Sequence, residues 1–169
     1  MRLEPLLVSH ALEMFNVLSD PAIYEFENQP PASLAALQQR FSLLESRVSP
    51  DGTEQWLNWA IRLQSNELAG YVQATVLTRD RAYVAYELGS RFWRRGIASA
   101  AVGPVLAELA SSYGVREAFA VLKAANYRSR GLLSKLGFAP LPAAEQAPWP
   151  PDADELVMRK VVAGGENAA

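Results

Sequence analysis

The stretch SRFWRRGIASAAV, Ser90 to Val102, places Arg91, Arg94 and Arg95 around Gly96, where a strand-like run gives way to a helix-like one. Such a step suits an anion. A helix N-terminus carries unpaired N–H groups and a partial positive charge. Gly96 admits close backbone approach, Ala98 nearly so, and arginines add planar donors that match phosphate. On composition alone the run reads equally well as a basic surface turn ahead of a helix. A second group lies in NYRSRGLLSKLGF, where Ser129 falls three and four residues before Leu132 and Leu133, on a stripe that Leu136 continues. Its hydroxyl therefore turns inward, either available for chemistry or bonded to a carbonyl of its own helix.

The rest of the chain narrows what these residues can be doing. Half of the 169 residues are hydrophobic and the formal net charge is −2, so broad polyelectrolyte attraction to nucleic acid or membrane is excluded and any phosphate site must be local. The absence of cysteine removes disulfides, thiol nucleophiles and thiolate metal sites. One histidine, His10, forms no ligand cluster and reads as a surface or helix-start residue, so nothing calls for a metal. No signal-peptide pattern and no run of membrane-spanning length appears, which leads to the expectation of a cytoplasmic protein.

Hydrophobic spacing gives the elements that must position the two groups. Leu12, Phe15 and Leu18 mark a first helix, and Ser33 caps a second over LAALQQRFSLLESRV. WLNWAIRL and ELAGYVQATVL read as strands of a hairpin closed by QSNE, followed by a third strand, AYVAYEL, with Val84, Tyr86 and Leu88 on one face and Tyr83, Ala85 and Glu87 on the other. Ile97, Ala101, Val105 and Leu109 then mark a helix that stops at Gly114, although Pro104 must kink it or delay its start. REAFAVLKA follows as a strand, NYRSRGLLSKLG as a helix capped by Asn126 and stopped by Gly137, and DELVMRKVV as a last strand. The order is α-α-β-β-β-α-β-α-β, with APLPAAEQAPWPPDAD as a short strand and an edge-wrapping loop. Residues 1–162 are expected to form one domain and 163–169 a disordered tail.

Trp93, Arg94, Arg95, Gly96, Ile97 and Ala98 resemble motif A of the GNAT acetyltransferase superfamily, with Trp93 in a slot that is elsewhere Gln or Arg. Together with Asn126, Ser129, Lys135, Leu136, Gly137 and Phe138, they are similar to the branch containing ribosomal-protein N-terminal alanine acetyltransferases. The resemblance, over residues 2–162, implies an α/β fold. Its mixed, mostly antiparallel sheet has a parallel pair splayed for coenzyme A and helices on both faces. It also implies an acetyl-CoA-dependent N-acetyltransferase in which a primary amine, best a protein N-terminus, attacks the thioester directly. The alternatives are a small-amine or antibiotic acetyltransferase and a non-catalytic CoA-binding module. Monomer and homodimer fit equally.

By that resemblance the Gly96 turn holds the pyrophosphate, backbone N–H groups near Leu88 take the thioester oxygen, and Asn126 and Ser129 contact the pantetheine arm. Ser129 is a candidate to protonate the thiolate, because the slot where many relatives carry a tyrosine acid is Leu133. An α-amine of pKa ~7.8 is about one-sixth neutral at pH 7, against about one in 2,500 for a lysine of pKa ~10.4, so a protein N-terminus needs only a modest base. Glu87, bordering the thioester site, is that candidate, or else a solvated strand carboxylate. For the acceptor, strand alternation puts Trp59 in the core and Trp56, Asn58 and Tyr71 on mixed faces, where they floor an amine site or pack under the first two helices.

Overall fold

The structure, a computed structural model, describes residues 1–78, 80–142 and 145–162; the expected tail lies outside them. In chain order the elements are β1 (Arg2–Pro5), α1 (Ala11–Leu18), α2 (Leu34–Glu45), β2 (Gln55–Arg62), β3 (Leu68–Thr78), β4 (Arg81–Leu88), α3 (Ile97–Tyr113), β5 (Glu117–Lys123), α4 (Tyr127–Lys135), β6 (Ala139–Pro140) and β7 (Glu155–Val161). Short 3-10 turns precede α1, α2 and α3. The strands form one sheet in the order β1-β2-β3-β4-β5-β7-β6, antiparallel except where β4 meets β5. The fold class, the hairpin and the element order from α1 to β7 agree with the sequence reading.

Strand alternation sends the apolar side chains to both faces of the sheet. On one face Trp59, Ile61, Val72, Val84 and Leu88 pack against Ala101, Val105 and Leu109 of α3 and Leu133 of α4. On the other, Ala60, Leu68 and Tyr71 meet Met14 and Leu18 of α1 and Leu37 and Phe41 of α2. The helices that carry the anion turn and Ser129 thus lie across the sheet from α1 and α2.

The frame corrects several local expectations. β1 was missed because RLEP has no alternating apolar run. It pairs with β2 through register and charge, Glu4 accepting from Arg62 at 2.8 Å; burial pushes the Glu4 carboxyl up, but the Arg62 and Arg2 guanidiniums together outweigh it and hold the group down to about 2. In α1 the inward face is Ala11, Met14 and Val17 with Leu18, whereas Leu12 is 64% exposed. His10 sets this rotation: it is buried, its Nδ1 accepts from the Leu7 N–H at 3.0 Å, and its Nε2 lies 3.2 Å from Glu4 Oε2. α3 runs through Pro104 and starts at Ile97, so the late start is excluded. Beyond β6, Trp149 lies over the sheet face and not at its edge, stacked on Tyr83 of β4 at 4.2 Å between ring centroids.

Candidate active site

The site begins with a divergence. β4 and β5 pair only through Arg81–Tyr83 and Glu117–Phe119, while β4 stays with β3 as far as Leu88 and β5 stays with β7 as far as Lys123. Each strand keeps its outer partner, so the two separate and leave an opening in the sheet. Gly70 fixes the β3–β4 side of it. Its φ is +150°, and a Cβ there would lie 1.9 Å from the Glu87 carbonyl oxygen, so β4 can approach β3 this closely only against a glycine. The Gly89 N–H donates to the Ala69 carbonyl at 3.0 Å. Alternation along an antiparallel ladder then turns the Leu88 N–H toward the opposite edge, into the opening.

From Leu88 the chain makes a 3-10 turn over Ser90–Phe92 and enters α3 through two left-handed residues, Arg94 at φ 56° and Gly96 at φ 74°. The first intrahelical bond runs from the Ala100 N–H to the Gly96 carbonyl at 3.0 Å, leaving the Ile97, Ala98 and Ser99 N–H groups ahead of the ladder at the helix end. Arg94 and Arg95 are exposed beside it. Arg91 is turned away, 3.3 Å from Glu67 and over the Phe92 ring. The side chain of Trp93 is not aimed at the helix end either: its indole N–H donates to the Leu88 carbonyl at 2.9 Å, tying the end of β4 to the turn.

Across the opening, Asn126 caps α4 by accepting from the Ser129 N–H at 3.0 Å. The Ser129 hydroxyl lies 2.9 Å from the Tyr86 hydroxyl, so its partner is on β4 and not a carbonyl of its own helix. Burial pushes the Tyr86 phenol up to about 12, with the Ser129 bond opposing. Tyr86 carried only the signal of its strand face in the sequence. Leu133, in the slot of the absent tyrosine, is 1% exposed and belongs to the core. Arg128 was also missed. It pairs with Glu25 and lies 4.6 Å over the Trp93 ring, joining α4 to the α1–α2 connection and to the β4–α3 turn.

On the opposite face, Glu87 lines a cavity of about 500 Å3 with Tyr24, Asn28, Gln29 and Arg40. Burial raises the Glu87 carboxyl above its ordinary value, and the Tyr71 hydroxyl and Arg40 guanidinium partly offset it. Glu87 is therefore not a freely solvated strand carboxylate. A second cavity, about 290 Å3, opens beside the divergence between Ala85, Val121, Trp149 and Glu155. The acceptor residues expected from strand alternation are not brought to either cavity. Trp56 donates its indole N–H to Glu54 at 2.9 Å, and Asn58 is 2% exposed, its amide donating to the Trp56 carbonyl. Tyr71 packs under α1 and α2 and reaches the site only through Glu87 and Arg40, because the two helices cover that end of the sheet.

An opening between two parallel strands, flanked by a free helix end, is the arrangement that the resemblance to the acetyltransferase superfamily implies. The model of the acetyltransferase (GNAT) domain matches residues 1–139, and the chain belongs to that family. It is 28% identical over 109 residues, 63% of its length, to an uncharacterized N-acetyltransferase, YoaA, of Bacillus subtilis strain 168; the match spans 62% of that relative. Its fold is similar to RimL, a ribosomal L7/L12 α-N-protein acetyltransferase in complex with coenzyme A, at TM-score 0.76 and 18% identity, covering 95% of this chain and 93% of that one. It is also similar to the spermidine N-acetyltransferase of Vibrio cholerae, in complex with CoA and spermine, at TM-score 0.75 and 14% identity, covering 96% of both chains. No helix among the described residues is long and apolar enough to cross a membrane.

Proposed function

We propose that the protein is an acetyl-CoA-dependent N-acetyltransferase that acetylates a primary amine, the N-terminal amine of a polypeptide, by direct attack on the thioester. The observation that carries this reading is the separation of β4 from β5 beyond Tyr83, with the unladdered N–H groups of Ile97, Ala98 and Ser99 at one end of the opening. The pyrophosphate would lie against those N–H groups, with Arg94 and Arg95 beside it, where the helix end favours negative charge. The pantetheine arm would run along the opening past Asn126, and the Leu88 N–H would donate to the thioester oxygen. A donor so placed typically supplies ~2.7–4 kcal/mol in the transition state.

Glu87 takes the ammonium proton, directly or through water, and the amine nitrogen attacks the carbonyl carbon. As the C–S bond breaks, the adduct nitrogen gives up its second proton to water and the thiolate takes one from the Ser129 hydroxyl; Tyr86, 2.9 Å away, orients that hydroxyl and reprotonates it, itself regaining a proton from water, so CoASH and the amide leave with both hydroxyls restored. The experiment is thiol release from acetyl-CoA against a panel of peptides and small amines, run beside calorimetry with CoA. Turnover with peptides is expected. CoA binding without turnover of any amine would make the chain a coenzyme-binding module, and absence of CoA binding would remove the reading altogether.

A further inference from the structure

Among the described residues the cavity under α1 and α2 has two charged lining groups, and they are of opposite sign: Glu87 from β4 and Arg40 from α2. We propose that it anchors an acceptor carrying a carboxylate close to its amine, in particular a peptide with an acidic N-terminal residue, Glu87 receiving the ammonium and Arg40 the carboxylate. The proposal rests on the acetyltransferase reading above and names its acceptor.

Arg40 is poorly committed within the fold. One of its nitrogens donates to the Tyr71 hydroxyl at 3.3 Å, and no carboxylate lies within ion-pair distance of it among the described residues. A guanidinium has five N–H donors in a fixed fork suited to two carboxylate oxygens, so most of its capacity is unspent. Glu87 is near enough to Arg40 to favour its charge without neutralising it in a direct pair. Two opposite charges kept apart in one cavity match a ligand with the same two charges in reverse order.

The depth of each group fixes the orientation. Glu87 is half-buried on the strand, next to the Leu88 N–H that faces the thioester, so the amine must enter there. Arg40 is exposed at the rim with Asn28 and Gln29 also lining the cavity, so the carboxylate stays nearer solvent and the chain leaves past amide side chains that suit a peptide backbone. A polyamine fits poorly, because its second ammonium would meet Arg40 while Glu87 is the one carboxylate lining the cavity among the described residues.

The test uses the full chain, acetyl-CoA and matched short peptides beginning with Asp, Asn or Lys, together with free aspartate and spermidine, for the wild type, Arg40→Gln and Arg40→Glu. The wild type should favour the Asp peptide over the Asn peptide by about tenfold in kcat/KM, the scale of one charge-assisted, bidentate guanidinium–carboxylate contact, with Lys and spermidine last. Arg40→Gln should lose about ten times more on the Asp peptide than on the Asn peptide, mainly in KM, while CoA affinity measured by calorimetry stays the same. Arg40→Glu should move preference toward the Lys peptide and spermidine. Equal losses on every acceptor would make Arg40 only a strut for Tyr71 and overturn the proposal, as would a wild-type preference for Lys or spermidine. Faster acetylation of free aspartate would overturn the peptide assignment. If the wild type binds CoA but acetylates none of them, the acetyltransferase reading itself fails, whatever Arg40 does.

Discussion

The two sides of β4 are built from different materials. Toward α3 and β5 the proposed coenzyme site is mostly backbone: the Leu88 N–H at a diverging strand edge and the Ile97, Ala98 and Ser99 N–H groups at a helix end. Toward α1 and α2 the proposed acceptor cavity is mostly side chain, with Tyr24, Asn28 and Gln29 from the α1–α2 connection, Arg40 from α2 and Glu87 from β4. A backbone site depends on a few conformations and tolerates changes of side chain. A side-chain site changes specificity with single substitutions and leaves the frame standing. The coenzyme half should therefore fail by loss of geometry, and the acceptor half by loss of selectivity.

The largest effect expected from breaking this division is at Gly96. Gly96→Glu adds a negative charge at the helix end and forces a side chain onto φ 74°, which costs roughly 1–2 kcal/mol of stability. CoA affinity should fall more than 100-fold by calorimetry while the circular dichroism spectrum is kept. Next is the hydroxyl pair. Ser129→Ala should lower kcat by ~10²-fold, at the low end for a lost general acid, with the KM for acetyl-CoA changed little. Tyr86→Phe should lower it less, and the double variant no more than Ser129→Ala alone, because both act on one proton. Additive losses measured in the double variant would break the relay.

Smaller, and dependent on the acceptor, is Glu87→Gln. Its loss in kcat/KM should grow with the pKa of the amine and toward low pH, since an α-amine needs little deprotonation and an alkylamine much. Because burial raises the Glu87 carboxyl from 4.5, the acid limb of the wild-type profile should lie above that value and disappear in the variant. A uniform loss for a peptide N-terminus and an alkylamine across pH 6 to 9 would reduce Glu87 to positioning substrate. The smallest effect is on stability. A carboxyl with a raised folded pKa favours folding when protonated and loses that contribution as pH rises through the folded value. Glu87→Gln should accordingly raise Tm slightly at pH 7, and the gain should fade below pH 4.5, as read by thermal scans at both pH values.

This difference in material also decides what could be read from sequence. Gly96, the caps at Ser33 and Asn126 and the stop at Gly114 are local signals with local causes, and each appears where spacing put it. β1 and the rotation of α1 depend on Glu4, His10 and Arg62 meeting across the sheet, which no window of sequence contains. The acceptor side is legible only in part, for the same reason. Strand alternation identifies the face of Trp56, Asn58 and Tyr71 but not what lies over it, and α1 and α2 bury Tyr71 while Arg40 and Tyr24 supply the lining. The link between Tyr86 and Ser129 was equally hidden, since it joins a strand to a helix 43 residues on.

The proposed function requires coenzyme A to occupy the gap between β4 and β5 with its pyrophosphate on the α3 end. Titrating the isotopically labelled protein with CoA and following backbone amides by NMR tests it most directly, because the proposed contacts are the N–H groups themselves. Saturable shifts should concentrate at Leu88 and at Gly96 to Ser99, with smaller ones near Asn126 and Ser129, while β1 and the outer turns of α2 stay in place. Shifts centred on the Arg40 and Glu87 cavity with Leu88 and Ile97 to Ser99 unmoved would put the coenzyme on the other side of β4 and rule out the gap as its site.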